Sequence, residues 1–259
     1  MIIDMAAFLG PYERRTLAAD TARLAEILRQ WGVTRIFAGR INHLRQDNIH
    51  AADSPVKPQM VGGAEVATVP VIDPSIATWQ EHLETYWAFH QGRLPIIRLH
   101  PNYHGYRLSE LKATEALVQW AHAHGSVLQV VVNIDDIRRQ HPLGQVPDVA
   151  TADIIATAQK YPHQPFLLSG ALNTLMRSLK ADALPNLWVD TARIEGGLAL
   201  PPLLDAGWGD RLVYASHAPI LIPHSSIARV LTDLSDADAM KILSTNARRL
   251  LRLPSAVDK

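Results

Sequence analysis

Short apolar runs alternate with longer amphipathic segments along most of the chain. The apolar runs predict buried strands, because each is only a few residues long and uniformly apolar, as parallel strands covered on both faces are. They lie at 2–8, 35–38, 67–72, 95–100, 127–132, 166–169, 187–191 and 212–216. Segments with helical spacing of apolar residues follow them, among others at about 13–30, 78–89, 108–123 and 236–251.

This succession of strand and helix predicts the fold. Eight β/α units in a row indicate an α/β protein that closes into a (β/α)₈ TIM barrel, with residues 1–259 as a single domain. An open doubly wound sheet would have a glycine-rich phosphate loop after its first strand, and Leu9-Gly10-Pro11-Tyr12 is not one. The irregular stretch at 41–63 is longer than most loops, so we expect a functional loop or a lid there.

The composition narrows the classes of function. Hydrophobic residues make up 47% of the chain and charged residues 19%, which supports a sizeable core and excludes intrinsic disorder. The 25 basic residues balance the 25 acidic residues, so nothing points to nucleic acid or to a membrane surface. The chain has no cysteine, which excludes disulfides, thiolate–zinc sites and iron–sulfur clusters. The start Met1-Ile2-Ile3-Asp4 lacks the basic flank of a signal peptide, and we expect a cytoplasmic protein.

Polar residues gather at the carboxyl ends of the predicted strands, where TIM barrels carry their chemistry. The candidates at strand ends are Asp4, Arg98, His100, Asn133, Ser169, Asp190 and His217. The loops just beyond add His104, Asp136, Arg138 and His141. We therefore expect a polar site at one end of the barrel.

Several of these segments resemble the amidohydrolase-related (family 2) barrels, in the same order from about Ile2 to Leu251. They are Ile3-Asp4 to Leu9-Gly10, Arg98-Leu99-His100-Pro101-Asn102-Tyr103-His104-Gly105-Tyr106, Ala215-Ser216-His217-Ala218-Pro219 and Asn246-Ala247-Arg248-Arg249-Leu250-Leu251. The resemblance implies a metal-dependent hydrolase, or in some members a decarboxylase or lactonase, that acts on a small substrate.

The chain departs from this family at its metal ligands. The family's His-x-His at the end of strand one corresponds to Ala6 and Phe8, and its histidines on strands five and six to Asn133 and Ser169. Its strand-eight aspartate falls on His217. Alanine and phenylalanine cannot coordinate a metal, and amides and hydroxyls are poor zinc ligands. We therefore predict that the usual metal centre is absent, as in a branch of the family that is similar at Asp136, Arg138 and His141.

These residues predict a hydrolase-like, metal-independent enzyme that hydrolyses or decarboxylates a small carboxylated substrate. His217 is the predicted base, because imidazole is neutral and basic near pH 7. His100 and Asp190 are predicted to polarise or orient the reacting groups. Arg98 is predicted to clamp the substrate carboxylate, or else to form an internal ion pair with Asp4 or Asp190. Further substrate contacts are predicted for Asp4, His104, Asn133, Asp136, Arg138, His141 and Ser169, and the loop cluster at 136–141 equally fits a structural ion-pair network.

Two other interpretations stay open. The chain could be a catalytically inactive barrel that binds a ligand or pairs with an active homologue as a regulatory subunit. Alternatively, His100, His104, Asp190 and His217 could rebuild a site for a divalent metal such as zinc. The sequence also allows a homo-oligomer.

Overall fold

Strands form the centre of the computed structural model, which describes residues 1–12, 16–17, 20–44 and 57–254. The strands are β1 (Ile2–Leu9), β2 (Val33–Arg40), β3 (Gln59–Val61), β4 (Ala64–Val69), β5 (Ile96–Leu99), β6 (Val127–Val131), β7 (Phe166–Ser169), β8 (Leu187–Asp190) and β9 (Leu212–Val213). Neighbouring strands pair in parallel, except that β3 pairs antiparallel with β4.

The strands form two sheets that close on each other. One has the order β1-β2-β4-β3 and the other β5-β6-β7-β8-β9. At one seam the Met5 N–H donates to the carbonyl of Tyr214 (3.0 Å), and the His217 N–H donates to that of Ala6 (2.8 Å). At the other seam the Arg98 N–H donates to the carbonyl of Pro70 (2.9 Å). Because both seams are bonded, the predicted (β/α)₈ barrel is confirmed, with β3 as an addition to it.

Helices surround the strands. They are α1 (Thr21–Arg29), α2 (Trp79–Phe89), α3 (Pro101–His104), α4 (Ala113–Ala123), α5 (Thr151–Lys160), α6 (Asn173–Ser178), α7 (Pro201–Asp205), α8 (Pro223–Asp233), α9 (Asp236–Met240) and α10 (Asn246–Leu250). A π-helical turn, Lys241–Thr245, joins the last two. The helix predicted at 13–30 begins only at Thr21, because the Asp20 side chain accepts the Arg23 N–H (2.8 Å) and caps it there.

Two apolar layers hold these elements together. The outer layer lies between strands and helices and includes Leu24, Ile36 and Leu83. The inner layer lies inside the barrel, where Ile3, Ile96, Val127, Val213 and other strand residues pack against Ala247, Leu250 and Leu251 of the C-terminal segment. This inner core lies below the polar strand ends and so supports the site from beneath.

The segment predicted as one long loop at 41–63 contains regular secondary structure. Asn42–Leu44 forms a 3₁₀ turn, and Gln59–Val61 is strand β3. Residues 45–56 lie outside the described residues, so the predicted lid stays a prediction. Among the described residues, no helix combines the length and the apolar composition that crossing a membrane requires.

Candidate active site

Three fully buried polar side chains meet at the carboxyl ends of β7, β8 and β9. The Ser169 hydroxyl lies 2.6 Å from Oδ2 of Asp190 and 2.9 Å from Nε2 of His217. Asp190 and His217 do not touch directly, since 3.7 Å separates Oδ2 from Nε2. The structure therefore brings together three of the predicted site residues, with the serine between the other two.

Asp190 is held by backbone groups as well as by Ser169. Its Oδ1 accepts the N–H groups of Gly170 (3.0 Å) and Ala192 (3.1 Å). Burial alone would raise the pKa of Asp190, but the hydrogen bonds that its carboxylate accepts outweigh burial and leave the pKa below its usual value. Asp190 is therefore an ionised carboxylate that can only accept hydrogen bonds.

His217 has an unusual backbone conformation and a buried ring. Its φ is +50°, in the left-handed region that costs a non-glycine residue about 1–2 kcal/mol. Gly170 gives the ring room, since a Cβ there would lie 2.7 Å from Cε1 of His217. Burial lowers the pKa of His217 despite the opposing influence of Asp190, and the charges of Arg98 and Arg193 lower it further. The imidazole is therefore neutral, and its buried Nδ1 has no hydrogen-bond partner among the described residues.

A second buried imidazole, that of His100, also lies near the Phe8 ring. The Phe8 ring centroid is 5.2 Å from that of His217 and 6.5 Å from that of His100. Burial holds the pKa of His100 well below its ordinary value, and Arg98, His104 and His217 add to this effect. Nδ1 of His100 also has no partner within the described part of the chain. The next histidine, His104, has a pKa lowered by burial, and its Nδ1 lies 4.0 Å from Oδ1 of Asp73.

Arg98 lies one layer deeper than these imidazoles. Its Nε donates to Oε1 of Gln129 (2.7 Å) and its Nη1 to the carbonyl of Ala7 (2.9 Å), while the Phe8 ring lies 5.1 Å from Cζ. Burial lowers the pKa of Arg98 to about 10, so the guanidinium is still charged at neutral pH. No carboxylate of the described residues lies within 4.0 Å of it. That Arg98 clamps the substrate carboxylate stays a prediction. In the structure its side chain is already hydrogen-bonded to Gln129 and Ala7 of the barrel strands.

Asp4 joins the first strand to the last. Its carboxylate accepts the Ser216 hydroxyl (2.5 Å), the Ser216 N–H (3.0 Å) and the Ala6 N–H (3.1 Å). Burial raises the pKa of Asp4 to about 7, against these hydrogen bonds. This side chain therefore helps to close the barrel where His217 begins the final loop.

The loop after β6 separates into a buried part and an exposed part. Asn133 is buried, and its side chain accepts the Tyr103 hydroxyl (3.0 Å) and donates to the Val146 carbonyl (2.8 Å). Asp136 and Arg138 form an ion pair with each other (2.5 Å), and the Arg138 side chain is 85% exposed. This pairing lowers the pKa of Asp136.

His141 is also exposed and accepts the Leu143 N–H at Nδ1 (3.1 Å). The hydrogen bonds of Asp136, Arg138 and His141 thus stay within their own loop.

Sequence reasoning left Arg193 out of the site. Arg193 follows β8 by three residues and is almost fully buried. Among the described residues, its Nη1 makes only long contacts, 3.4 Å each, to Oδ1 of Asp148 and the carbonyl of Gly170. Burial lowers the pKa of His217, and the charge of Arg193 lowers it further. Its place just after Asp190, at a strand end, was the signal that could have identified it.

The residues at the strand ends do not fit the metal centre that the family resemblance implies. Ala6 and Phe8 offer no ligand atoms, and the Ser169 hydroxyl is already bound to Asp190. Among the described residues, no three histidine, aspartate or glutamate side chains are placed to share a metal ion. The metal-free protein, and the alternative of zinc between His100 and His217, both stay predictions.

Solved structures of similar fold are known, although no family model and no curated protein sequence matches the chain. The 5-carboxyvanillate decarboxylase LigW from Sphingomonas paucimobilis is 11% identical with a TM-score of 0.66, over 91% of this chain and 84% of that one. The 2,6-dihydroxybenzoate decarboxylase from Rhizobium is 13% identical with a TM-score of 0.63, over 97% and 99%. The amidohydrolase map2389c from Mycobacterium avium subsp. paratuberculosis K-10 is 15% identical with a TM-score of 0.57, over 90% and 73%.

These likenesses define the class of fold. The chain is an amidohydrolase-like TIM barrel with a buried Ser–Asp–His cluster at its strand ends. The resemblance noted in its sequence is confirmed at the level of the fold.

Proposed function

We propose that this protein is an enzyme that hydrolyses or decarboxylates a small carboxylated substrate, with His217 as the base. The observation that carries the proposal is the neutral, fully buried imidazole whose Nδ1 has no partner among the described residues. Buried polar atoms nearly always have a hydrogen-bond partner, so an exception at a strand end suggests a place for substrate or a reacting water.

The chemistry follows from the charge state of the cluster. In hydrolysis, the neutral imidazole takes a proton from the water that attacks the substrate carbonyl and then returns it to the leaving group. In decarboxylation, the neutral imidazole first takes up a proton from solvent and then delivers it to the substrate carbon as the bond from that carbon to the departing CO₂ breaks. Either way an imidazolium forms for part of the cycle, and the ionised Asp190, with Oδ2 3.7 Å from Nε2, stabilises that charge.

We assign the substrate carboxylate to Arg193. Its guanidinium is almost fully buried and has five N–H donors, of which the described contacts engage one nitrogen at long distance. Such a group gains two charge-assisted hydrogen bonds from a carboxylate. Arg98 contributes positive charge from below Phe8 without spare geometry for a clamp, since Gln129 and Ala7 already hold it.

The names of two proteins with similar fold support the substrate class. Both 5-carboxyvanillate and 2,6-dihydroxybenzoate are carboxylated aromatic compounds, and each of those proteins is a decarboxylase. Their likeness to this chain concerns the fold, so we use it to choose compounds for testing.

The test is turnover of a panel of aromatic acids, carboxylated amides and carboxylated lactones. We expect His217→Asn to lower turnover by about 10²–10⁴-fold, the usual contribution of a general base. His122→Asn is the matched control, because this histidine is exposed on α4 and is not one of the predicted site residues. A His217→Asn protein that stays within a few-fold of the natural one would refute the role of His217.

The same panel tests the alternative of a catalytically inactive barrel. If a panel member raises the melting temperature and none is converted, the binding-protein interpretation is favoured. A homo-oligomer, or pairing with an active homologue, would be measured by light scattering of the protein alone and mixed with that homologue. These associations and the cytoplasmic location remain predictions of the sequence.

A further inference from the structure

We propose that Ser169 is a positioning residue that fixes the tautomer of His217, so that Nε2 carries the proton and Nδ1 is the basic atom. The inference rests on the proposed function only for the use of that basic atom. The arrangement of protons itself follows from the hydrogen bonds of the three side chains.

The first step concerns the single proton of the Ser169 hydroxyl. Asp190 is an ionised acceptor, and its Oδ1 is engaged by the N–H groups of Gly170 and Ala192. The remaining oxygen, Oδ2, lies 2.6 Å from Oγ of Ser169, the short distance expected for a hydroxyl that donates to a carboxylate. The serine proton therefore points to Asp190.

The second step concerns what the serine oxygen can still do. Having donated its proton, Oγ presents only lone pairs to Nε2 of His217, 2.9 Å away. Two lone pairs cannot form a hydrogen bond, so Nε2 must carry a hydrogen and donate it. A neutral imidazole has one N–H, and Nδ1 is consequently left with its lone pair. That same atom is the buried one without a partner among the described residues.

This arrangement differs from a hydrolytic Ser–His–Asp triad. In a triad the aspartate bonds to the histidine, and the serine gives its proton to the histidine when it attacks. Here Oδ2 of Asp190 lies 3.7 Å from Nε2 of His217, beyond hydrogen-bond distance, and the serine gives its proton to the aspartate. Ser169 is therefore oriented as a bridge, and its oxygen is not activated as a nucleophile.

The test is direct observation of the tautomer by NMR of protein labelled with ¹⁵N in its histidines. Couplings from the ring carbon protons to Nδ1 and Nε2 distinguish the two neutral forms, and the spectrum of His217→Asn identifies the signals of His217 by their loss. We expect the Nε2–H form at neutral pH. An Nδ1–H form in the natural protein would overturn the inference without any variant, and without any substrate.

The sharpest variant is Asp190→Asn. With its carbonyl oxygen on the two backbone N–H groups, the new amide would direct its NH₂ to Ser169, which must then accept it. The serine proton would turn to Nε2 of His217, and the imidazole would change to the Nδ1–H form. In the double variant with Ser169→Ala this inversion should be lost, because the hydroxyl that transmits it is gone.

Asp4→Asn is the matched control, since Asp4 is equally buried and also bonded to a serine, Ser216, but its hydrogen bonds within the described residues go to Ala6 and Ser216 and not to His217. It should leave the tautomer unchanged. Inversion in this control, no inversion in folded Asp190→Asn, or inversion that persists without the Ser169 hydroxyl would each overturn the inference. Turnover enters none of these readouts, so a failure of the proposed function is seen separately.

Discussion

Replacing Gly39 with alanine should destabilise the barrel through Arg98. A Cβ at this position would lie 2.6 Å from Nη1, 3.1 Å from Cζ and 3.2 Å from Cδ of Arg98. The guanidinium would have to withdraw by roughly 0.8 Å to restore ordinary contact. Its hydrogen bond to the Ala7 carbonyl, now 2.9 Å, would then be lost or strongly weakened.

Two opposing free energies set the expected size. A buried hydrogen bond to a charged group contributes about 1.5–3 kcal/mol to stability. Alanine also reduces the conformational entropy of the unfolded chain, which offsets about 0.4–1 kcal/mol of that loss. We therefore expect Gly39→Ala to lower the free energy of unfolding by about 0.5–2.6 kcal/mol.

Urea denaturation followed by far-UV circular dichroism measures this change. Gly144→Ala is the control, because a Cβ there meets nothing within 4 Å and its φ is not in the left-handed region, so we expect no loss of stability. In the Arg98→Met variant the flexible methionine side chain can avoid the new methyl group. Adding Gly39→Ala to that variant should therefore lower the free energy of unfolding by less than it does in the natural protein. A Gly39→Ala protein within about 0.5 kcal/mol of the natural one, the range of neutral surface changes, would refute this account of Arg98.

Three further predictions concern charged groups. Burial raises the pKa of Asp4 to about 7, so between about pH 4 and 7 the folded protein keeps a proton that the unfolded chain has lost. The free energy of unfolding should therefore fall as the pH rises through this range and level off above it. Thermal melts at a series of pH values should show this pH dependence in the natural protein but not in Asp4→Asn. Arg193→Lys should raise KM for a carboxylated substrate more than it lowers kcat, and an equal fall in kcat would contradict a binding role. Arg138→Ala should leave the melting temperature unchanged, because solvent screens this exposed ion pair.

The fold could be predicted from the sequence because buried parallel strands have a local pattern. The run at 166–169 is the strand Phe166–Ser169, and the last helix lies within its predicted range. The start of α1 was predicted too early, because the amphipathic spacing also extends to the N-terminal side of Asp20, the residue that caps the helix. Strand β3 was missed, since three residues paired with a neighbouring strand carry too little periodicity to be distinguished from loop.

The candidate site was predictable in place but not in detail. Because Ser169, Asp190 and His217 follow predicted strands, the sequence placed them at the same end of the barrel, and the structure has them near one another. Which atom bonds to which depends on distances of a few tenths of an ångström between separate strands, and no sequence pattern encodes these. The depth of Arg98 was missed for a similar reason: alternation indicates which side of a strand a residue faces, but not how far below the mouth it lies.

The short strand β3 affects the tendency of this protein to aggregate. On the side away from β2, the first residues of β4 would expose their N–H and C=O groups, because hydrogen bonding to the next barrel strand begins only at Pro70, after the end of β4. Unpaired strand edges of this kind recruit other chains and lead to aggregation. By folding back on Ala64–Val66, residues Gln59–Val61 cover that edge from within the same chain. The hairpin thus protects this strand edge from pairing with another chain.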